Sequence, residues 1–292
     1  MDVKRYIGRE LYLGDMPEIV QRAYRVSIGG SGAFYGDTVD AQMMDDQIRL
    51  CDETADYVYA EYTPLELKYR RGSRPELERI IDRILDGVAD EQEKVLSIMR
   101  FVRDLHKLRP NGARQEGRDL FHGGIEEEVI KKCSNMCNEQ ARVFCVLCQV
   151  AGMPARYVGH YIDRHGVAEA YCGGKWAYID NEGRYFLKGD GTLASVLELK
   201  RNPELITTQS PEVLADHRGR FSLERSEREF CRVEVTVMTN YFVWENARYN
   251  YDWIWPTEEF LARMKPLRAR FPEEVDHQSV VAMIRGERPW PR

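Results

Sequence analysis

Cys137, His165 and Asp180 stand where the three could work as one nucleophilic unit. Cys137 opens a stretch that reads as a helix, with Ser134 and Asn135, both N-cap residue types, just ahead of it. A thiol in the first turn of a helix meets the positive end of the macrodipole and unpaired backbone N–H groups. Both favour the thiolate and lower a free thiol from its usual pKa of about 8.5. The same N–H groups could hold a developing oxyanion. A buried structural thiol is the commonest fate of a free cysteine, so position alone does not decide the role of Cys137.

His165 begins and Asp180 ends a second segment, His-Gly-Val-Ala-Glu-Ala-Tyr-Cys-Gly-Gly-Lys-Trp-Ala-Tyr-Ile-Asp. Gly173-Gly174 is a two-residue turn between two alternating runs, so the segment reads as a β-hairpin. The turn fixes the pairs as 172:175, 171:176, 169:178 and 167:180. Val167 then faces Asp180, with His165 two residues along on the same side, a diagonal of roughly 7 Å that an imidazole–carboxylate hydrogen bond can span. The period of two puts His165, Val167, Glu169, Tyr171, Trp176, Tyr178 and Asp180 on one face. Ala168, Ala170, Ala177 and Ile179 share the other, small and apolar enough for a neighbouring layer. Asp180 is thus expected to orient His165, and an oriented imidazole beside a helix-start thiol is the activated-nucleophile design.

These elements need a scaffold. Ala141 to Ala151 is almost wholly apolar, with Gly152 and Pro154 to stop it. Asn138, Arg142 and Gln149 fall near one stripe, so the helix is expected to be buried with one narrow wet edge. Pro75 to Leu85 and Asp90 to Leu105 read as amphipathic helices, the second with Val95, Ile98, Met99, Val102 and Leu105 as its apolar stripe. Residues 17–28 and 39–60 are helix-like, joined by a Gly-rich loop at 28–34. That loop lacks the Lys-Ser/Thr of a phosphate loop and reads as a connector. The loop 111–117 could border the site, and 229–238 reads as a strand. Tyr241, Phe242, Trp244, Tyr249, Tyr251, Trp253 and Trp255 form an aromatic cluster, suited either to packing or to one wall of a substrate groove. Helices are expected near 257–270 and 276–284.

The run from Cys137 to Asp180 resembles the core of the transglutaminase-like superfamily of papain-fold cysteine enzymes. The pattern is a Cys at a helix start, Gly-x-Pro-x-Arg-x-Val (here Gly152 to Val158), His-x-x-x-Glu (His165 and Glu169), Gly-x-Trp (Gly174 and Trp176), then Asp180. The His-to-Asp spacing is that of the family. Three positions differ: Asn135 stands where the family often has Gly, Val167 where it has an aromatic, and Asn181 where Pro often follows the Asp. The resemblance covers roughly residues 75 to 185. It implies an α+β papain-like, transglutaminase-like fold, the Cys helix packed on an antiparallel sheet, with helical N- and C-terminal elaborations. It also implies Cys137 as nucleophile, His165 as base and Asp180 as orienting acid. Asn135, Trp176 and Glu169 become candidates for oxyanion or substrate binding. The reaction implied is acyl transfer from an amide through a thioester. Hydrolysis by a peptidase or amidase is favoured, since hydrolytic members are common and no feature marks a deep amine pocket. A transglutaminase-type transferase, or a binding or scaffold protein retaining the fold, stays open.

Composition frames this reading. A chain of 292 residues is long for one domain, yet it shows no repeat and no low-complexity linker, so one elaborated domain is expected over 1–292. Within it, 75–185 is the core and 1–74 and 186–292 are extensions. The 43% hydrophobic and 31% charged shares are those of an ordinary soluble globular protein. A net charge of −6 gives no electrostatic case for nucleic acid or an anionic membrane, leaving a peptide, protein or other amide-containing partner. There is no run of 18 apolar residues and no apolar region in the first ten residues, so neither a transmembrane helix nor a secretory signal is expected. Seven cysteines, an odd number with two inside an apolar helix, fit reduced thiols in the cytoplasm. Cys133, Cys137, Cys145 and Cys148 lie in or astride one helix with no His to complete a spaced set, so no metal and no cofactor are expected.

Overall fold

The computed structural model describes residues 47–50, 52, 54–60, 65, 67, 69–108, 126–131, 133, 137–160, 165–217, 222–224, 226–227 and 235–238. Outside them lie Ser134, Asn135, the segment 17–28, the loops at 28–34 and 111–117, the 241–255 aromatic cluster and the segments 257–270 and 276–284.

The hairpin of strands β3 (His165–Cys172) and β4 (Lys175–Ile179) turns on Gly173 and Gly174, whose φ angles of 58° and 77° both lie in the left-handed region that a tight two-residue turn demands. The ladder pairs Cys172 with Lys175, Tyr171 with Trp176 and Glu169 with Tyr178, as the turn dictates. It ends at Ala168–Ile179, so the expected pair of Val167 with Asp180 is not formed. Asp180 bridges instead to Arg184, because Asn181-Glu182-Gly183 folds the chain back on itself.

Strand β2 (Ala155–His160) pairs antiparallel with β3. Beyond it lie β5 (Val235–Met238) and β1 (Gln47–Leu50), giving a five-stranded sheet in the order β1-β5-β2-β3-β4 with every pair antiparallel. The expectation of a helix over 39–60 is corrected here. Among the described residues of that stretch, 47–50 are β1 and Ala55–Ala60 (α1) is helical. Pairing with β5, almost two hundred residues away, overrides the local pattern.

One sheet face carries the helices. Pro75–Ile84 (α2) starts on Pro at its first turn, with Glu76 and Glu78 near its positive end and Arg83 near its negative end. Glu91–Asp104 (α3) is capped by Asp90, whose carboxylate accepts the Glu93 N–H at 2.8 Å. A 3₁₀ turn, Leu105–Leu108, and a short helix, α4 (Glu126–Lys131), follow. Cys137–Val150 (α5) ends at Gly152 with φ 84°. Val143, Phe144 and Leu147 of α5 share a core with Val95, Ile98, Met99 and Val102 of α3 and with Ala168, Ala170, Ala177 and Ile179 of the sheet. The small side chains let the helix lie close. Arg142 is buried rather than on a wet edge, its Nε 3.1 Å from Glu126, which also holds Arg74 at 2.7 Å. A buried cation needs such a partner.

The other face carries the alternate residues. Val158, Val167 and Tyr178 pack with Phe186, Val196, Leu199 and Ile206. Val196 and Leu199 come from α6 (Val196–Arg201), which a Ser195–Glu198 capping box starts. The short helix α7 (Glu204–Thr207) adds Ile206 to that side, whereas Val213 of α8 (Pro211–Asp216) joins the core beneath α3 and α5, and Asp216 at its end pairs with Arg100 and Arg103 of α3. No described helix is long and apolar enough to cross a membrane.

Candidate active site

Cys137 is the first residue of α5 and is half-buried. His165 is the first residue of β3, and Asp180 follows the last residue of β4. By the sheet's alternation the helix lies over one face while His165 belongs to the other. Thiol and imidazole therefore meet at the start of β3, where the strand begins. The thiol hydrogen-bonds with the His165 ring and with the backbone N–H of Gly166. His165 Nε2 lies 3.2 Å from Asp180 Oδ2. With Nε2 engaged there, Nδ1 is the nitrogen left to face the sulfur. His165 and Asp180 are 4% and 1% exposed, so water screens neither contact.

The electrostatics follow. Burial pushes the Cys137 thiol up, but the His165 hydrogen bond and charge, with the Gly166 N–H, outweigh it and the thiol sits below its ordinary value. Glu182 opposes this drop. Burial alone would lower His165; the charge of Asp180, 3.2 Å away, then the thiolate, hold the imidazolium well above its ordinary range. Burial would raise Asp180, yet His165 and Arg184 hold its carboxyl well below the usual carboxylate range. The arrangement therefore favours a thiolate–imidazolium pair backed by a carboxylate. The contrast with other thiols is sharp. Burial pushes Cys145 and Cys148 well up, and Cys172 up to about 11.

Around the three stands a tight turn. Asp180 N–H donates to the Arg184 carbonyl at 2.8 Å, and Arg184 N–H returns to the Asp180 carbonyl at 3.0 Å. Asp180 Oδ1 accepts the Glu182 N–H at 2.9 Å. Arg184 Nη2 lies 3.2 Å from Asp180 Oδ2, the oxygen that faces His165. Gly166 lies under the Tyr157 ring so closely that any Cβ there would collide with it.

Two further candidates take up scaffold positions. Glu169 is fully buried and its oxygens are spent: Tyr59 Oη and the Val196 N–H donate to Oε1, both at 2.8 Å, and Arg156 Nε and Nη2 to Oε2 at 2.9 and 2.7 Å. Trp176 is 3% exposed and lies flat against the Arg156 guanidinium, 4.1 Å from ring centre to Cζ. Both expected oxyanion or substrate-binding candidates are thus buried, and the Glu169 oxygens are taken by Tyr59, Val196 and Arg156. Asn135, the third candidate, lies outside the described residues.

Residues 78–181 match the family model of the Transglutaminase-like superfamily. The matched segment runs from α2 to the residue after Asp180, and so contains Cys137, His165 and Asp180. No curated protein and no solved structure matches the chain. The transglutaminase-like segment is α+β, with helices over the antiparallel strands β2, β3 and β4. The superfamily's chemistry is cysteine-based acyl chemistry. Outside the matched residues, strands β1 and β5 extend the sheet, and α6 and α7 cover its second face.

The sequence reading missed Gly166, Tyr157 and Arg184. A signal existed for the last: Asn181-Glu182-Gly183 is turn chemistry, and Gly183, with φ 108°, brings residue 184 back to 180. For Gly166 a bare Gly inside a strand pattern marked a close approach, though not by which group.

Proposed function

We propose that the chain is a cysteine-dependent hydrolase of peptide or related amide bonds. The Cys137 thiolate attacks the carbonyl carbon, forming a carbon–sulfur bond, and the carbon–nitrogen bond breaks. His165 gives the proton on Nδ1 to the leaving amine, which leaves a thioester. Water then adds to the thioester, His165 takes its proton, and the acid departs as the thiolate re-forms. Asp180 fixes the ring through Nε2 and stabilises the imidazolium. Backbone N–H groups at the start of α5 are the donors available for the oxyanion.

The single observation that carries this reading is the unbroken run of contacts from the Cys137 sulfur through His165 to Asp180 Oδ2. Residues 75–185 form the catalytic core in this reading, with 1–74 and 186–292 as extensions of one domain acting in the cytoplasm on peptide or protein substrates. No disulfide joins the described cysteines, which fits a reducing compartment.

The test is iodoacetamide labelling at pH 6 followed by peptide mapping. Cys137 should label far faster than the other thiols, and a peptide-amide library should yield an acyl adduct on Cys137 that water discharges. An adduct discharged only by an added primary amine would assign amine transfer instead. A Cys137 no faster than Cys172 would leave a binding or scaffold role and end the enzyme reading.

A further inference from the structure

Asp180 is held by more than the triad requires. An aspartate that only orients a histidine needs one contact to the ring and one donor to fix its own second oxygen. Here Oδ1 has its donor in the Glu182 N–H at 2.9 Å. Oδ2 is shared, with His165 Nε2 and Arg184 Nη2 each 3.2 Å away. Arg184 is 2% exposed, and its other terminal nitrogen donates to Ser226 Oγ, which is 1% exposed. The guanidinium is therefore clamped from both ends in a dry site. It does not sample solvent as a surface arginine would.

We infer that Arg184 is a positioning residue that acts on the reaction through Asp180, sharing Oδ2 with His165 and so limiting how firmly the carboxylate holds the imidazolium. The inference rests on the cysteine-hydrolase reading above and deepens it. A buried carboxylate facing one imidazole would stabilise the cation so strongly that its proton became hard to give to the leaving amine. A second, permanent cation on the same oxygen offsets that carboxylate charge. The ring stays oriented, yet its proton, on Nδ1, remains transferable to the amine nitrogen. Arg184 also keeps Asp180 ionised whatever the charge on His165. The pair can then never neutralise itself by passing the proton from ring to carboxylate.

Other groups face this cluster. Cys137 approaches His165 from α5, and Gly166 N–H points at the same sulfur. Glu182 Oε2 is 4.0 Å from Arg184 Nη2, and its charge reaches Cys137. Asp216 and His217, at the end of α8, lie within electrostatic reach, since Arg184, Asp216 and Asp180 all act on the His217 ring. His160 stands opposite His165 in the β2–β3 register. Arg184 Nη2 lies as near to Asp180 Oδ2 as the imidazole does, 3.2 Å, so removing Arg184 acts directly on the oxygen that faces His165.

The experiment is the rate of Cys137 alkylation by iodoacetate against pH, on the full chain, for the parent, Arg184→Met, Arg184→Lys and Ser226→Ala. The rate should rise as the thiolate forms and fall as the His165 imidazolium loses its proton. In Arg184→Met the falling limb should move up by about one pH unit or more, the size a neighbouring charge produces. Arg184→Lys should return most of the shift, and Ser226→Ala, which frees only the far end of the guanidinium, should give a smaller shift of the same sign. Loss of a merely structural residue would lower the melting temperature without moving this limb upward. A falling limb that stays in place or moves down in folded Arg184→Met overturns the inference. If that variant does not fold, Ser226→Ala decides in the same way. A parent with no fast Cys137 and no falling limb overturns the hydrolase reading itself, a result distinct from a bell-shaped parent that Arg184 variants leave unmoved.

Discussion

Gly166→Ala is the sharpest probe of how the thiol is held. A Cβ at this position would stand 2.8 Å from both Cε2 and Cζ of Tyr157 and nearer still to its hydroxyl. The backbone is not in the left-handed region there, so the ring alone forbids the side chain. Either the ring swings out or β3 moves away from β2. Overpacking of this kind costs about 1–3 kcal/mol. It also displaces the Gly166 N–H that donates to the Cys137 sulfur. A hydrogen bond to a charged group is worth about 1.5–3 kcal/mol, so its loss should slow Cys137 alkylation at pH 6 by roughly tenfold or more. Tyr157→Ala removes the obstacle. Because Tyr157 is half-buried, that change alone should cost less than the about 3 kcal/mol at the low end for a fully buried aromatic. In the Tyr157→Ala background the added methyl should cost little, giving a coupling of about 1 kcal/mol or more, and alkylation should recover. Urea denaturation of the parent, both single variants and the double variant closes the cycle. Equal costs for Gly166→Ala in both backgrounds would refute the steric argument.

Three further outcomes are expected. Glu169→Ala should destabilise by about 3–5 kcal/mol in urea denaturation, because it strands the fully buried Arg156 guanidinium; a loss below about 1 kcal/mol would mean that the pair is dispensable. Asp180→Asn should lower turnover by orders of magnitude yet leave Cys137 partly alkylatable, whereas His165→Ala, which removes both the base and the cation beside the thiolate, should be harsher on both readouts; pH-resolved alkylation of the two variants separates them. Asp180 is depressed when folded, so its contribution to stability is present above its unfolded value of about 3.9 and is lost as pH falls through the folded value. His165 is raised, so its contribution is complete below about 6.5 and is lost as pH rises through its folded value. Unfolding free energy from pH 2 to 9 should therefore fall more gently at both ends in Asp180→Asn than in the parent, and parallel curves would contradict the linkage.

The parts of the fold written in local pattern were the legible ones. Gly173-Gly174 and the alternation around it set a register that the ladder keeps from Cys172–Lys175 to Ala168–Ile179. The four small residues Ala168, Ala170, Ala177 and Ile179 marked the face that receives α5. Cys137, His165 and Asp180 were legible because each sits at an element's end, where turn and cap residues announce it. What local pattern could not carry was long-range pairing. Gln47–Leu50 becomes a strand only because Val235–Met238 lies beside it, and nothing within 39–60 reports that neighbour. Arg142 looked like a wet-edge residue because its partner Glu126 belongs to another helix.

Glu169 and Asp180 show the same limit at the site itself. Both are buried acids, on or at the end of one hairpin, and both sit on the same face by alternation, so sequence pattern treats them alike. Their surroundings separate them. Glu169 meets one cation through two bonds and two neutral donors, with every oxygen committed to groups that stay put. Such a carboxylate has nothing left to do but hold Tyr59, Arg156 and α6 on the sheet. Asp180 meets a backbone N–H, a permanent cation and an imidazole whose charge changes when the thiol gives or takes a proton. Only a carboxylate with a partner of variable charge can report on, and respond to, a proton in transit. In the cysteine-hydrolase reading, the distinction between scaffold and chemistry thus lies in what each acid's partners can do with a proton, and those partners come from segments that only the folded chain brings together.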